Sequence, residues 1–231
     1  MPDAPPPATI HLNPSAELAE LVLLPGDPHR AMTMAQALLE APRMFNARRG
    51  LWGYTGTTPS GDRVTIQSTG MGGPSAAIVA HELIELGART LIRTGTCGSL
   101  VPELKLSDVV VVAEALPEDG ASRALGASGR AVADAGLTRA LLDAGAGRAV
   151  AAVSTDVFYD PEPPERWAAS GAQVIEMEAA AILTVAAQRG ARAACLLLVT
   201  DELASGERKR MPHDEIEERG VEVGRLALAA A

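Results

Sequence analysis

The sequence predicts an α/β protein, a single-domain α/β/α sandwich around a mixed, mostly parallel β-sheet. Three observations carry that expectation. Short apolar runs rich in Val, Leu and Ile alternate with segments of helical periodicity from residue 20 to the C-terminus. Most of the helical segments carry start or stop residues of the right kind. The 231 residues are 47% apolar and 21% charged, enough for one core and hardly for two. Aromatics make up only 3%, so that core must be built from aliphatic side chains.

Taken in order, residues 1–17 are proline-rich and polar, and read as a surface arm. ELVLLPG (20–26) is a short buried strand, and Asp27-Pro28 starts a helix to about Leu39, with an acid at the N-cap and proline at the first helical position. Extended pieces follow near 43–47 and 51–57, then a strand at 63–69. A glycine-rich turn at 70–73 leads into a helix from Pro74 to about Leu86, which Gly87 can terminate. Strands are expected at 90–95 and 108–116, a loop over 117–136, a short helix at LTRALLDAG and a strand at 149–156. Residues 160–172, with three prolines, read as irregular with room for one helical turn. An alanine-rich helix covers about 177–189 and ends at Gly190; a strand at 191–201, a polar loop at 202–212 and a helix from about Asp214 complete the chain. No repeat or linker divides residues 1–231.

Composition excludes several classes. A formal charge of −9 argues against the broad basic face that nucleic-acid binding needs. No stretch approaches the roughly 18–20 apolar residues of a membrane span, and MPDAPPPATIHL has no secretory pattern. A cytoplasmic protein is expected. Cys97 and Cys195 each sit in an apolar run, as buried thiols would.

Chemistry concentrates where strands end. Strand 20–24 delivers Gly26-Asp27-Pro28-His29-Arg30, either an anion site or a capped helix with a solvated arginine. Strand 63–69 delivers Gly70-Met71-Gly72-Gly73-Pro74-Ser75, a poor match to a dinucleotide turn. Arg93-Thr94-Gly95-Thr96-Cys97-Gly98-Ser99 puts one arginine and several hydroxyls in a single turn, a composition suited to phosphate oxygens. Glu176-Met177-Glu178-Ala179-Ala180 sets two carboxylates at the mouth of an apolar helix. The helix dipole explains one of them, and a carboxylate can also accept both hydroxyls of a vicinal diol. Asp201 ends the most hydrophobic strand, as a proton donor or as an N-cap.

PGDPHR, STGMGGPS, RTGTCGS, VFY, EMEAA and VTDE occur in the order seen in the nucleoside phosphorylase-I family, and the chain resembles that family from about His11 to Asp201, in particular its bacterial hexameric purine branch. The resemblance implies phosphate binding by Gly26, Arg30, Arg93 and Thr96, with Arg49 supplied by a neighbouring subunit. His11, 15 residues before Gly26, is implied to reach the nucleoside 5′-hydroxyl across the same interface. Met71, Met177 and Glu178, with Glu176 adjacent, are implied for the ribose. Cys97, Gly98, Phe158, Thr200 and Asp201 are implied for the base. It further implies purine nucleoside phosphorolysis, with Asp201 protonating N7, inorganic phosphate as co-substrate, no cofactor and no metal. The assembly implied is a homo-oligomer, a hexamer built as a trimer of dimers, with no nucleic-acid or membrane partner.

There are departures. Threonine stands at 96 and 200 where serine is common, and thirteen residues after Asp201 the branch's arginine is replaced by Asp214, which leaves Arg208, Lys209 and Arg210, in a shortened loop, as the open candidates to assist Asp201. Asp201 suits 6-aminopurines, often with 6-oxopurines accepted as well. A uridine phosphorylase is the alternative within the family, but only 16 residues separate Tyr159 from Glu176 and the sole uracil readers there would be Arg166 and Gln173. Methylthioadenosine nucleosidases lack the phosphate arginines. An NADP-dependent oxidoreductase using STGMGGPS leaves EMEAA and PGDPHR unexplained, and a non-catalytic nucleoside-binding protein leaves the arginines without a task.

Overall fold

A computed structural model describes residues 9–204 and 208–231. Strand β1 (Leu21–Leu24) runs into helix α1 (Pro28–Leu38), whose N-terminus is closed by the Asp27 carboxylate accepting the Arg30 N–H. Strands β2 (Glu40–Asn46), β3 (Gly53–Thr57) and β4 (Arg63–Gln67) form an antiparallel meander, with a 3₁₀ turn at Arg48–Gly50. Helix α2 (Gly73–Glu85) follows a turn in which Gly70 and Gly72 both take positive φ. Then come β5 (Thr90–Ser99), β6 (Val109–Glu118), α3 (Gly120–Ala124), β7 (Ala131–Val132) and α4 (Ala135–Asp143). The remainder is β8 (Arg148–Thr155), α5 (Glu165–Ala168), β9 (Val174–Glu176), α6 (Ala179–Arg189), β10 (Arg192–Glu202), β11 (Lys209–Arg210) and α7 (His213–Ala229).

The strands make one mixed sheet. Its centre, β4–β1–β5–β10, is parallel, as are β6–β8–β9, while the remaining pairings are antiparallel. Because β10 pairs with both β5 and β6, and β9 joins β8 to β5, five strands close into a ring at one end of the sheet. The pleat sorts β10 between two apolar layers. Cys195, Leu197 and Val199 face α2 and α6, whereas Ala194, Leu196 and Leu198 face α1, α4 and α7.

Several expected boundaries move, each for a tertiary reason. Residues 93–99 stay in β5 instead of forming a turn, since Gly98 is paired on one side with Ile175 and on the other with Asp201. The expected loop 117–136 holds α3, capped by Asp119 on the Ser122 N–H, and β7, paired with β6. The alanine-rich helix begins at Ala179, because Val174–Glu176 are drawn into the sheet. Within 202–212, Lys209–Arg210 pair with Asp201–Glu202; residues 205–207 lie outside the described residues. Of the expected arm, residues 1–8 also lie outside them. From residue 9 on it is pinned: Leu12 is fully buried, and Glu82 of α2 accepts the N–H groups of Ile10, His11 and Leu12.

Candidate active site

A cavity of about 680 Å³ opens beyond the carboxyl ends of the central strands. Strand β1 contributes Gly26 and Arg30, β4 Met71, β5 Arg93 with Thr96, Cys97 and Gly98, and β10 Thr200 and Asp201. Glu176, Met177 and Glu178 enter at the junction of β9 and α6, Phe158 after β8, and Arg49 from the 3₁₀ turn. Every residue that the resemblance implies for phosphate, ribose or base lines this cavity except His11. That side chain lies on α2, with Nδ1 2.7 Å from Glu82.

One end of the cavity is built for an anion. Arg93 is buried in β5, and its guanidinium lies back over Gly95, where a Cβ would come within 2.6 Å of Cζ. Its Nε and Nη2 are 3.1 and 3.0 Å from Glu176 Oε2, and Nη2 is 2.5 Å from Glu178 Oε2. Burial pushes the Arg93 pKa down, but Glu178 and Glu176 outweigh it and hold the guanidinium firmly charged. Arg30 is in the opposite position: burial and then repulsion from Arg93 lower its pKa. Its stem passes α7 at Gly220, where a Cβ would sit 2.9 Å from Cδ. Arg30 Nε and Arg93 Nη1 are buried without a hydrogen-bond partner among the described residues. Buried donors on two cations that repel each other call for an anion between them.

The two glutamates differ in their freedom. Glu178, at the N-cap of α6, accepts the Gly72 N–H at 2.6 Å on Oε1. Glu176 accepts the N–H groups of Glu178 and Ala179 at 2.8 and 2.9 Å on Oε2 and the Ser154 hydroxyl on Oε1, so both of its oxygens are spoken for. Burial raises the Glu176 pKa, opposed by Arg93 and reinforced by Glu178.

At the other end, Asp201 is buried with Oδ1 2.8 Å from both Arg208 Nε and Nη2, and Oδ2 3.0 Å from the Thr200 hydroxyl. The Arg208 guanidinium also stacks over the Phe158 ring, 4.9 Å from its centroid. Of the three basic candidates, then, Arg208 is on the carboxylate. Arg210 stands 4.0 Å away and Lys209 lies nearer Glu202.

Sequence reasoning passed over Thr155, Asp160, Glu162 and Trp167, which also line the cavity from the 155–167 segment. The only signal was a Trp and two acids in a proline-rich stretch. Gln173, offered as a uracil reader, turns to the Ala151 backbone, and Arg166 pairs with Asp160 and stacks on Trp167. Neither lines the cavity. Among the described residues no group of three His, Cys, Asp or Glu could hold a metal, and no helix is long and apolar enough to cross a membrane.

An anion pocket at the end of a parallel sheet, with a carboxylate and an acid–arginine pair facing the same space, is the equipment of a group-transfer enzyme that uses phosphate. The chain belongs to the phosphorylase superfamily, whose profile matches residues 20–231. It is similar to the DeoD-type purine nucleoside phosphorylase of Geobacillus kaustophilus (39% identity over 84% of this chain and 85% of that one). It is equally similar to that of Jannaschia sp. (39%, 96% and 99%), and comparably so to that of Roseobacter denitrificans (38%, 96% and 99%).

Proposed function

We propose that the protein is a purine nucleoside phosphorylase, a pentosyltransferase that converts purine (2′-deoxy)ribonucleosides and phosphate to free base and (deoxy)ribose 1-phosphate. The observation that carries the reading is the pair of arginines with buried, unused donors, 30 and 93, beside Glu178 in a cavity that also holds Asp201. Phosphate sits against Arg30, Arg93, Thr96 and Gly26, with an Arg49 from a neighbouring subunit closing the mouth. Glu178 and Met177 hold the ribose, assisted by Met71. Phe158 packs on the base, with Cys97, Gly98 and Thr200 around it.

A phosphate oxygen attacks C1′ while the C1′–N9 bond breaks, and the bonding pair leaves with the purine. Asp201 gives its proton to N7, so the base departs neutral. Arg208 stands ready to stabilise the carboxylate that remains, and such acid assistance is worth about 10²–10⁴ in rate. An acid at 201 serves adenosine and admits 6-oxopurine nucleosides. Phosphate is the co-substrate and no cofactor enters. The enzyme works in the cytoplasm, where its two buried free thiols stay reduced. It acts as a hexamer, a trimer of dimers, in which Arg49 and His11 complete a neighbour's site. Exposed Ile10, Met44 and Trp52 around Arg48 and Arg49 offer the apolar surface such a contact needs.

The deciding assay compares adenosine, inosine, guanosine and uridine with and without phosphate. Phosphate-dependent release of purines but not uracil is expected. Phosphate-independent hydrolysis, or a preference for uridine, would refute the assignment.

A further inference from the structure

Glu176 and Glu178 stand two residues apart at one junction, yet their oxygens are used differently. We propose that Glu176 is a positioning residue that selects which edge of Arg93 is offered to phosphate, and is not a ligand of the sugar. This rests on the phosphorylase reading of the cavity. A guanidinium has five N–H donors. The Nε donor of Arg93 goes to Glu176, and Nη2 is shared between Glu176 and Glu178. What remains is Nη1, buried and unpartnered.

On the carboxylate side five protein donors already converge, against two on Glu178. Oε1 is taken by Ser154, and Oε2 accepts from Arg93 and from the Glu178 and Ala179 N–H groups. The side chain is 1% exposed. Ser154 is itself fixed, because its Oγ accepts the Ala180 N–H at 2.9 Å. Arg93 therefore cannot turn a different edge to the cavity without breaking charge-assisted bonds between two almost fully buried side chains. The same Oε2 that holds Arg93 also holds the backbone of Glu178, so the anion and sugar ends of the cavity share one anchor.

The test substitutes the isosteric amide. Glu176→Gln keeps the shape but cannot accept from all of these donors. Inorganic phosphate binding is read by calorimetry, which needs no turnover, and kcat/KM is read for inosine and 2′-deoxyinosine. For Glu176→Gln, phosphate Kd should rise about 10-fold or more, while the ribo/deoxyribo ratio of kcat/KM stays within about twofold of wild type. Glu178→Gln should instead move that ratio. In an Arg93→Ala background, Glu176→Gln should change phosphate binding by less than about twofold, since it acts through Arg93. If Glu176→Gln does not fold, Ser154→Ala, which frees Oε1, should raise phosphate Kd with the ratio unchanged. Unaltered phosphate binding in the folded variant, or a shifted ribo/deoxyribo ratio, overturns the proposal. Wild-type protein that binds no phosphate overturns the reading of the cavity itself, a distinguishable result.

Discussion

Glu178 divides its oxygens between the Gly72 N–H and Arg93, and it is the carboxylate left to meet a diol. Glu178→Gln should cut kcat/KM by about 100-fold or more, roughly 2.7 kcal/mol of transition-state stabilisation, with Tm little changed because the amide is isosteric. A loss under about threefold would remove the ribose role. Asp201 sits between Thr200 and Arg208, and its task depends on a transferable proton. An amide cannot donate that proton as an acid does, though it can hydrogen-bond N7 and O6 of a 6-oxopurine. Asp201→Asn should therefore reduce adenosine phosphorolysis about 10-fold more than inosine phosphorolysis, a difference near 1.4 kcal/mol. Equal losses on the two substrates would refute the acid role.

Helix α7 shapes the anion end without lining the cavity. Gly220 lets the Arg30 stem pass, and an added methyl would meet Cδ and Cγ in the middle of that stem, where it cannot simply swing aside. Alanine is otherwise the better helix former, by up to about 1 kcal/mol. Gly220→Ala should thus weaken phosphate binding about fivefold or more, near 1 kcal/mol, while Tm holds or rises. A fall in Tm with unchanged phosphate affinity would contradict this account. Helix α2 does a different job by clamping residues 10–12 through Glu82. Burial pushes the Glu82 carboxyl up, but hydrogen bonds from Leu12, His11 and Ile10 outweigh it and hold its pKa below the ordinary value. A depressed pKa stabilises the fold above the unfolded value of about 4.3 and loses that contribution as pH falls through the folded value. Glu82→Gln should lower Tm at pH 7, and the gap to wild type should close as pH drops below about 4. A gap independent of pH would mean the clamp does not depend on the carboxylate charge.

At the scale of the whole molecule, Arg49 and His11 raise the question of where one active site ends. Arg49 is exposed at the cavity mouth, in a turn where it adopts φ +57°. His11 is held on α2, outside the cavity of its own chain. If neighbours exchange these residues, mixing Arg49→Ala subunits with Arg93→Ala subunits regenerates one site in each mixed dimer with every arginine intact. Recovery of activity from two inactive variants is expected, together with a solution mass that is a multiple of 23.9 kDa. Verified mixing without recovery would show that each chain completes its own site.

The sequence by itself determined the order of the main strands and helices and the strand ends that carry chemistry. Those are local facts: Asp27-Pro28 caps a helix, Gly190 ends one at φ +70°, and Val, Leu and Ile runs become strands wherever the chain puts them. It also marked Arg30, Arg93, Glu178 and Asp201, because charge in so apolar a setting is conspicuous. Only the tertiary structure decided what pairing decides. β5 continues through Gly98 because strands lie on both sides of it, Val174–Glu176 add a short strand to the sheet, and the ring of five strands closes. It also separated Glu176 from Glu178, two identical side chains two residues apart, and chose Arg208 over Lys209 and Arg210 for Asp201. The physical reason is that a carboxylate's partners come from wherever the chain returns, here from Ser154, 22 residues back, and Arg93, 83 residues back. No local pattern encodes those separations.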